Sequence, residues 1–244
     1  MTAPAPSDAR RRAAAARLMV ALDVSGAAEA RRLIAALSGD PVVHKIGLEM
    51  IFAEGLGFVR ETIEGGASVF LDAKFLDIPN TVEKATANAA RLGAAFLTVH
   101  ASDRKTMDAA VKGRGESGMK LIGVTVLTSL DKADLAEQGI GEGPAELVLR
   151  RALLARDSGF DGVIASALEA EAVRAAAGKG FLIVTPGIRP RGTAVDDQQR
   201  VLTPADAITA GADYLVVGRP ITTSPNPAAT TAQIIDEIAD VLPG

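Results

Sequence analysis

The sequence of 244 residues contains no cysteine and no tryptophan, and it has only one tyrosine and two histidines. Without cysteine the chain forms no disulfide, has no thiolate nucleophile and offers no sulfur ligand to a metal. The two histidines are too few for a histidine-rich metal centre. The scarcity of aromatic side chains also disfavours an aromatic binding platform.

An excess of positive charge is absent as well. The formal net charge is −4 and the isoelectric point is about 5.3, so no global positive field attracts a polyanion. We therefore expect no nucleic-acid partner. Any phosphate group that binds must be held by a local site.

Long apolar runs are missing too. No window approaches the roughly 18 apolar residues that a membrane span requires, so we expect no membrane partner and a cytoplasmic location. The first 16 residues hold two prolines and a basic cluster, but they lack the apolar core of a secretory signal. We predict that residues 1–16 form a flexible N-terminal extension.

From residue 17 on, short apolar runs alternate with alanine-rich helical segments, which is typical of βα units around a parallel sheet. We predict eight strands, at Leu18–Leu22, Val42–Ile46, Ser68–Asp72, Phe96–His100, Leu121–Val126, Gly162–Ala165, Leu182–Thr185 and Tyr214–Val217. Helices are predicted near residues 26–38, 50–64, 79–92, 103–112, 144–157, 168–176, 204–210 and 227–240. Eight pairs favour an α/β fold of the closed (β/α)8 TIM-barrel type, with residues 17–244 as a single catalytic domain.

Residues 70–81 place three charges at the end of a strand that otherwise reads as buried. At the strand period of two, Asp72 and Lys74 project to the same face. Asp77 follows the strand, and Pro79 suits the first turn of the next helix. An ion pair followed by a helix N-cap would explain these residues structurally, and a catalytic charge cluster would explain them functionally.

Charged residues also lie at or near the carboxyl ends of the first two predicted strands. Asp23 follows the first strand, where it could also cap the next helix, and Lys45 lies within the second. A buried lysine is costly unless it is paired. We expect Asp23, Lys45, Asp72 and Lys74 to form a line of alternating charges at the carboxyl ends of successive strands, which Asp77 extends.

Later strand ends carry further polar residues. His100 ends the fourth strand, where a structural, hydrogen-bonded role is favoured over that of a base. Thr128 and Ser129 follow the fifth strand, as a turn cap or as ligand contacts. Residues 186–200 form a long loop that we predict to be mobile. After the eighth strand, Gly218 permits close backbone approach and Arg219 offers bidentate donors for a phosphate.

The full spacing Asp-x-Lys-x-x-Asp-Ile-Pro-x-Thr over residues 72–81 closely resembles the signature of the orotidine 5'-phosphate decarboxylases, of the bacterial type. Pro-Gly-Ile-Arg-Pro at 186–190 and Gly-Arg-Pro at 218–220 resemble further motifs of that family, in the same order. The resemblance extends from about Leu18 to the last helix. Leu76 departs from it, because many bacterial members have histidine there, which indicates that this position is not essential.

The resemblance implies that Lys74, Asp72 and Asp77 are catalytic. It implies that the substrate is bound by Asp23, Lys45, Asp72, Lys74, Asp77, Ile78, Thr81, Thr128, Ser129, Pro186, Arg189, Gln198, Gly218 and Arg219. The resemblance also implies that Asp23 and Lys45 contact the ribose hydroxyls. Thr128 and Ser129 are implied to contact the pyrimidine ring. The phosphate is implied to be surrounded by Arg189, Gln198, Gly218 and Arg219.

The implied reaction is the decarboxylation of orotidine 5'-phosphate to uridine 5'-phosphate and CO2 in de novo pyrimidine biosynthesis, without a metal or other cofactor. Lys74 would stabilise and protonate a carbanion at C6. A homodimer is implied, with Asp77 and Thr81 entering the partner's site. The alternatives are a Mg²⁺-dependent sugar-phosphate decarboxylase or aldolase-like barrel, which would lack the Ile-Pro-x-Thr continuation, and a non-catalytic nucleotide-binding barrel, which would lose one of the three charges.

Overall fold

The computed structural model describes residues 7–190 and 202–243. The strands within these residues are β1 (Leu18–Ala21), β2 (Val43–Gly47), β3 (Ser68–Phe75), β4 (Phe96–His100), β5 (Lys120–Val124), β6 (Gly162–Ile164), β7 (Leu182–Thr185) and β8 (Tyr214–Val217). They are hydrogen-bonded in chain order from β1 to β8 and close into a barrel. This confirms the predicted (β/α)8 fold.

Helices alternate with these strands along the described chain. They are α1 (Asp8–Ala15), α2 (Ala27–Ala36), α3 (Leu48–Glu64), α4 (Pro79–Leu92), α5 (Arg104–Arg114), α6 (Lys132–Glu137), α7 (Pro144–Asp157), α8 (Ala170–Ala177), α9 (Pro204–Thr209), α10 (Arg219–Thr222) and α11 (Pro227–Val241). The eight predicted helices all occur. The helices α1, α6 and α10 were not predicted.

The chain comprises two compact units. Unit 1 consists of Met1–Phe70, Gly187–Thr209 and Asp213–Gly244, and unit 2 of Leu71–Pro186 and Ala210–Ala212. In unit 1, β1 pairs in parallel with β2 and with β8, and Ala21 lies opposite Lys45. The strands β1 and β2 are buried along their whole length.

Helix α1 lies in the segment that the sequence predicts to be a flexible extension. Ser7 caps it by accepting a hydrogen bond from the Arg10 backbone, and its last residues, Ala14 and Ala15, are fully buried. Arg11 forms ion pairs with Asp40 and with Asp236 of α11. The alanine-rich segment is therefore helical because it packs against another helix, which composition alone does not reveal.

In unit 2, the strands β4 to β7 form parallel ladders. Thr98 lies opposite Ile122, and His100 lies opposite Val124. At Gly162, which pairs with Leu182, an added Cβ would lie 2.3 Å from the carbonyl oxygen of Leu182. Only glycine therefore fits at the start of β6.

The strand β3 is longer than predicted, because it continues beyond Asp72 to Phe75. Its buried part ends at Asp72, and residues 73–75 are half-buried. The next helix, α4, begins at Pro79 as expected and ends before Gly93, whose φ of 92° is the left-handed conformation that glycine adopts readily. The extension of β3 carries Lys74 within a strand rather than in a loop.

Candidate active site

The predicted pair on β3 is formed in unit 2. Lys74 Nζ lies 2.7 Å from Asp72 Oδ2 and donates a hydrogen bond to it. The Asp72 side chain is 13% exposed and that of Lys74 is 32% exposed, so the carboxylate is held inside while the ammonium group retains access to a ligand. A charge-assisted bond of this length is short and strong. The two side chains are therefore paired, as the sequence predicts.

A threonine of the neighbouring strand completes this pair. Thr98 Oγ1 donates to Asp72 Oδ1 at 2.9 Å and accepts a hydrogen bond from the backbone N–H of Lys74, also at 2.9 Å. Sequence reasoning missed Thr98, although it lies two residues before His100 and therefore shares its face of β4. The alternation of β4 indicates that Thr98 and His100 share a face, but it does not indicate that the Thr98 hydroxyl contacts Asp72.

The backbone of Lys74 is strained. Its φ is +48°, and among the described residues it is the one non-glycine residue with positive φ. The left-handed conformation costs an L-residue about 1–2 kcal/mol. Such strain persists only where the surroundings hold it, and it is concentrated at functional sites. The observation therefore singles out Lys74 independently of its charge.

Asp77 does not join the pair within this chain. Its Oδ1 accepts a hydrogen bond from the backbone N–H of Ile78 at 2.6 Å, and the described residues show no ion pair between Asp77 and Lys74. The N-cap of α4 is Ile78 rather than Asp77, so the structural alternative of an aspartate N-cap is wrong. Asp77, Ile78 and Thr81 are all exposed, and Ile78 is 67% exposed.

His100 is half-buried at the end of β4. Burial and then the positive charges of Arg151 and Lys74 lower its pKa, while the negative charge of Asp72 opposes this shift. The imidazole is therefore favoured in its neutral form at neutral pH. A neutral imidazole is also the form that accepts a proton, so this shift does not test the structural role that the sequence favours over that of a base, and that role stays a prediction.

The remaining predicted residues of unit 2 follow β5 and β7. Thr128 and Ser129 form an exposed turn after β5, and Pro186 is half-buried after β7. The helix after this turn is capped by Asp131, which accepts hydrogen bonds from Ala133 and from Asp134. The turn itself is closed by a backbone hydrogen bond from the N–H of Leu130 to the carbonyl oxygen of Leu127 at 2.9 Å.

Unit 1 contains the second predicted ion pair. Lys45 Nζ donates to Asp23 Oδ1 at 3.0 Å, and the residue Lys45 is only 7% exposed. The alignment of Ala21 with Lys45 and a hydrogen bond from Leu22 N to Lys45 O place Asp23 beside the lysine. The predicted pairing of the buried lysine with Asp23 is therefore present.

The predicted phosphate residues of unit 1 lie near the ends of β7 and β8. Arg189 is buried, and its Nε has no hydrogen-bond partner within the described part of the chain. Its backbone N–H donates to Leu202 O at 3.2 Å. Gly218 precedes α10, and Arg219 is the exposed first residue of that helix. Gln198 and most of the predicted 186–200 loop lie outside the described residues.

Residues 7–190 and 202–243 contain no group of three or more histidine, aspartate or glutamate residues that is arranged to hold a metal ion. No helix in these ranges is long and apolar enough to cross a membrane. Unit 1 contains the Asp23–Lys45 pair and the guanidinium groups of Arg189 and Arg219. Unit 2 contains the Asp72–Lys74 pair and the buried hydroxyl of Thr98.

Comparison with known proteins gives these pairs a family context. Residues 16–234 match the family model described as the orotidine 5'-phosphate decarboxylase / HUMPS family. The chain belongs to this family. The match spans all eight strands and so includes both ion pairs.

Relatives within the orotidine 5'-phosphate decarboxylase / HUMPS family are similar over nearly the whole chain. The orotidine 5'-phosphate decarboxylase of Afipia carboxidovorans is 51% identical over 223 residues, which cover 91% of this chain and 94% of that protein. The enzyme of the same name from a Methylobacterium species is 52% identical over 227 residues, covering 92% and 96%.

Solved structures of similar proteins agree with the fold. The orotidine 5'-phosphate decarboxylase of Lactobacillus acidophilus has a TM-score of 0.80 at 37% identity, and the match covers 91% of this chain and 98% of that one. An uncharacterized conserved protein from Geobacillus kaustophilus has a TM-score of 0.79 at 37% identity, with coverage of 91% and 99%.

Proposed function

We propose that this protein decarboxylates orotidine 5'-phosphate to uridine 5'-phosphate and CO2, as a carboxy-lyase of pyrimidine biosynthesis. The observation that carries the proposal is the Asp72–Lys74 pair on a strained strand end of a family barrel. The family description names more than one group, so membership alone does not decide the activity. Relatives that are about half identical over more than nine-tenths of the chain bear the decarboxylase name, which supports it.

The difficult step is the loss of CO2 from C6 of the pyrimidine. The bond between C6 and the carboxylate carbon breaks, CO2 leaves, and the electron pair remains on C6, where the ring offers no ordinary electron sink. Lysine presents a compact ammonium group. We propose that Lys74 lies next to C6, stabilises the developing negative charge, and then transfers a proton from Nζ to C6. Asp72 positions this ammonium group through the 2.7 Å contact.

Other residues bind the parts of the substrate that do not react. Asp23 and the buried Lys45 are proposed to contact the ribose hydroxyls, because a carboxylate accepts and an ammonium group donates hydrogen bonds to them. Thr128 and Ser129 are proposed to contact the pyrimidine, and Pro186 is proposed to contact the substrate.

The 5'-phosphate is assigned to Arg189, Gln198, Gly218 and Arg219. Guanidinium groups suit this role because they form bidentate hydrogen bonds to phosphate oxygens. Binding of the remote phosphate supplies energy that orders the site for the transition state.

We further propose a homodimer in which Asp77 and Thr81 reach the partner's site and Ile78 contacts the substrate. This is supported by the exposure of all three residues and by the absence of an ion pair from Asp77 to Lys74 among the described contacts. The exposed apolar side chains of Leu76 and Ile78 flank Asp77, so a partner surface would cover apolar area as it receives the carboxylate.

The test of this function is an ultraviolet assay that follows the consumption of orotidine 5'-phosphate by the purified protein, with and without a chelator. We expect full turnover in chelator, and almost no turnover by Lys74→Ala, with its fold intact by circular dichroism. A rate that only Mg²⁺ restores would favour the sugar-phosphate alternative. Substantial turnover by Lys74→Ala would refute the role of the ammonium group.

A further inference from the structure

One buried hydroxyl contacts both members of the catalytic pair. Thr98 Oγ1 gives its single hydrogen to Asp72 Oδ1 and accepts the backbone N–H of Lys74. Thr98 is fully buried, so bulk water does not compete for these bonds. Both donor and acceptor capacity of this hydroxyl are therefore directed at the same pair.

The two bonds restrain different degrees of freedom. The bond to Oδ1 orients the Asp72 carboxylate and leaves Oδ2 to receive Lys74 Nζ at 2.7 Å. The bond to the backbone N–H of Lys74 restrains the peptide group at the residue whose φ is +48°. An L-residue keeps this conformation only where its surroundings over-determine it, and Thr98 supplies such a restraint.

We propose that Thr98 is a positioning residue for the decarboxylation, which holds Lys74 in its left-handed conformation and Asp72 in one orientation. The proposal rests on the proposed function, because it takes Lys74 as the group that acts at C6. Thr98 itself touches no reacting atom. Its removal would let both charged side chains relax, and displacement of a catalytic group by about 1 Å costs roughly 100-fold in rate.

The variant Thr98→Val removes the hydroxyl and keeps the branched shape. We expect kcat for orotidine 5'-phosphate to fall by roughly 100-fold with little change in KM, because the residues assigned to ribose and phosphate remain. Thr98→Ser keeps the hydroxyl and should restore most of kcat. If Thr98→Val does not fold, Thr98→Ala provides a second variant without the hydroxyl.

The matched control is Thr125→Val. Thr125 is also buried, and its hydroxyl donates one hydrogen bond, to the carbonyl oxygen of Ile164 at 2.7 Å. The change is chemically the same but touches neither Asp72 nor Lys74, so kcat should stay near that of the wild type. An equal fall in kcat for Thr98→Val and Thr125→Val would show a general effect of lost buried hydroxyls and would overturn the proposal.

A structural measurement separates this proposal from the proposed function. High-resolution crystal structures of the wild type and Thr98→Val should show Lys74 leaving positive φ, or the separation of Nζ from Asp72 Oδ2 lengthening. Unchanged Lys74 geometry together with unchanged kcat would refute the role of Thr98 and would leave the proposed decarboxylase function intact. If the wild type failed to decarboxylate the substrate, the proposed function would fail, and the same pair of structures would still decide whether Thr98 holds Lys74.

Discussion

Complementation between two inactive variants tests whether the site is shared between subunits. Lys74→Ala and Asp77→Ala homodimers should each be nearly inactive. In a mixed dimer, one site combines both defects, while the other has an intact Lys74 and receives an intact Asp77. Free reassortment makes about half of the dimers mixed, each with one live site of two, so activity should recover to about a quarter of the wild-type value.

The structure supplies a matched control for this experiment. Lys74 and Asp72 form a 2.7 Å pair within one chain, so each chain carries its own copy of that pair. Mixing Lys74→Ala with Asp72→Ala therefore leaves every mixed dimer with one defect in each site, and no activity should return.

The assay follows orotidine 5'-phosphate by ultraviolet absorbance after the variants are mixed. Subunit exchange is verified by native mass spectrometry of isotopically labelled chains. Confirmed exchange without recovery in the mixture of Lys74→Ala and Asp77→Ala would show that Asp77 serves its own chain. Equal recovery in the control mixture would contradict the reasoning about the pair.

Two further predictions concern the phosphate and the pH dependence of stability. Arg219→Ala should lower kcat/KM for orotidine 5'-phosphate by roughly 10- to 100-fold, because hydrogen bonds to a charged group are lost. The kcat/KM for orotidine, which lacks the phosphate, should barely change. Equal losses of kcat/KM for both substrates would contradict the assignment of Arg219 to the phosphate. Burial lowers the pKa of His44 from 6.5 to about 4. As the pH falls, the unfolded chain therefore takes up a proton at His44 before the folded chain does, so the free energy of unfolding measured with urea should fall by roughly 3 kcal/mol between about pH 6.5 and 4. His44→Gln should flatten this fall, and an unaltered pH profile of the variant would refute the prediction.

The sequence by itself determined the barrel and the pair on β3. Eight apolar runs separated by helical segments leave few arrangements other than a closed parallel sheet. The spacing of Asp72 and Lys74 predicts their pairing, because side chains two residues apart in a strand share a face. Pro79 began the next helix as expected, since its fixed φ suits a first turn. These properties are local, so a single chain segment specifies each of them.

Only the tertiary structure decided what touches these residues. Thr98 and Asp72 are 26 residues apart in the chain, and their hydrogen bond exists because β3 and β4 are neighbours in the barrel. The positive φ of Lys74 has no signal in sequence, because lysine does not favour it and a contact from another strand restrains it. Helix α1 likewise depends on packing against α11, because an alanine-rich segment of eight residues is too short to be a stable helix alone.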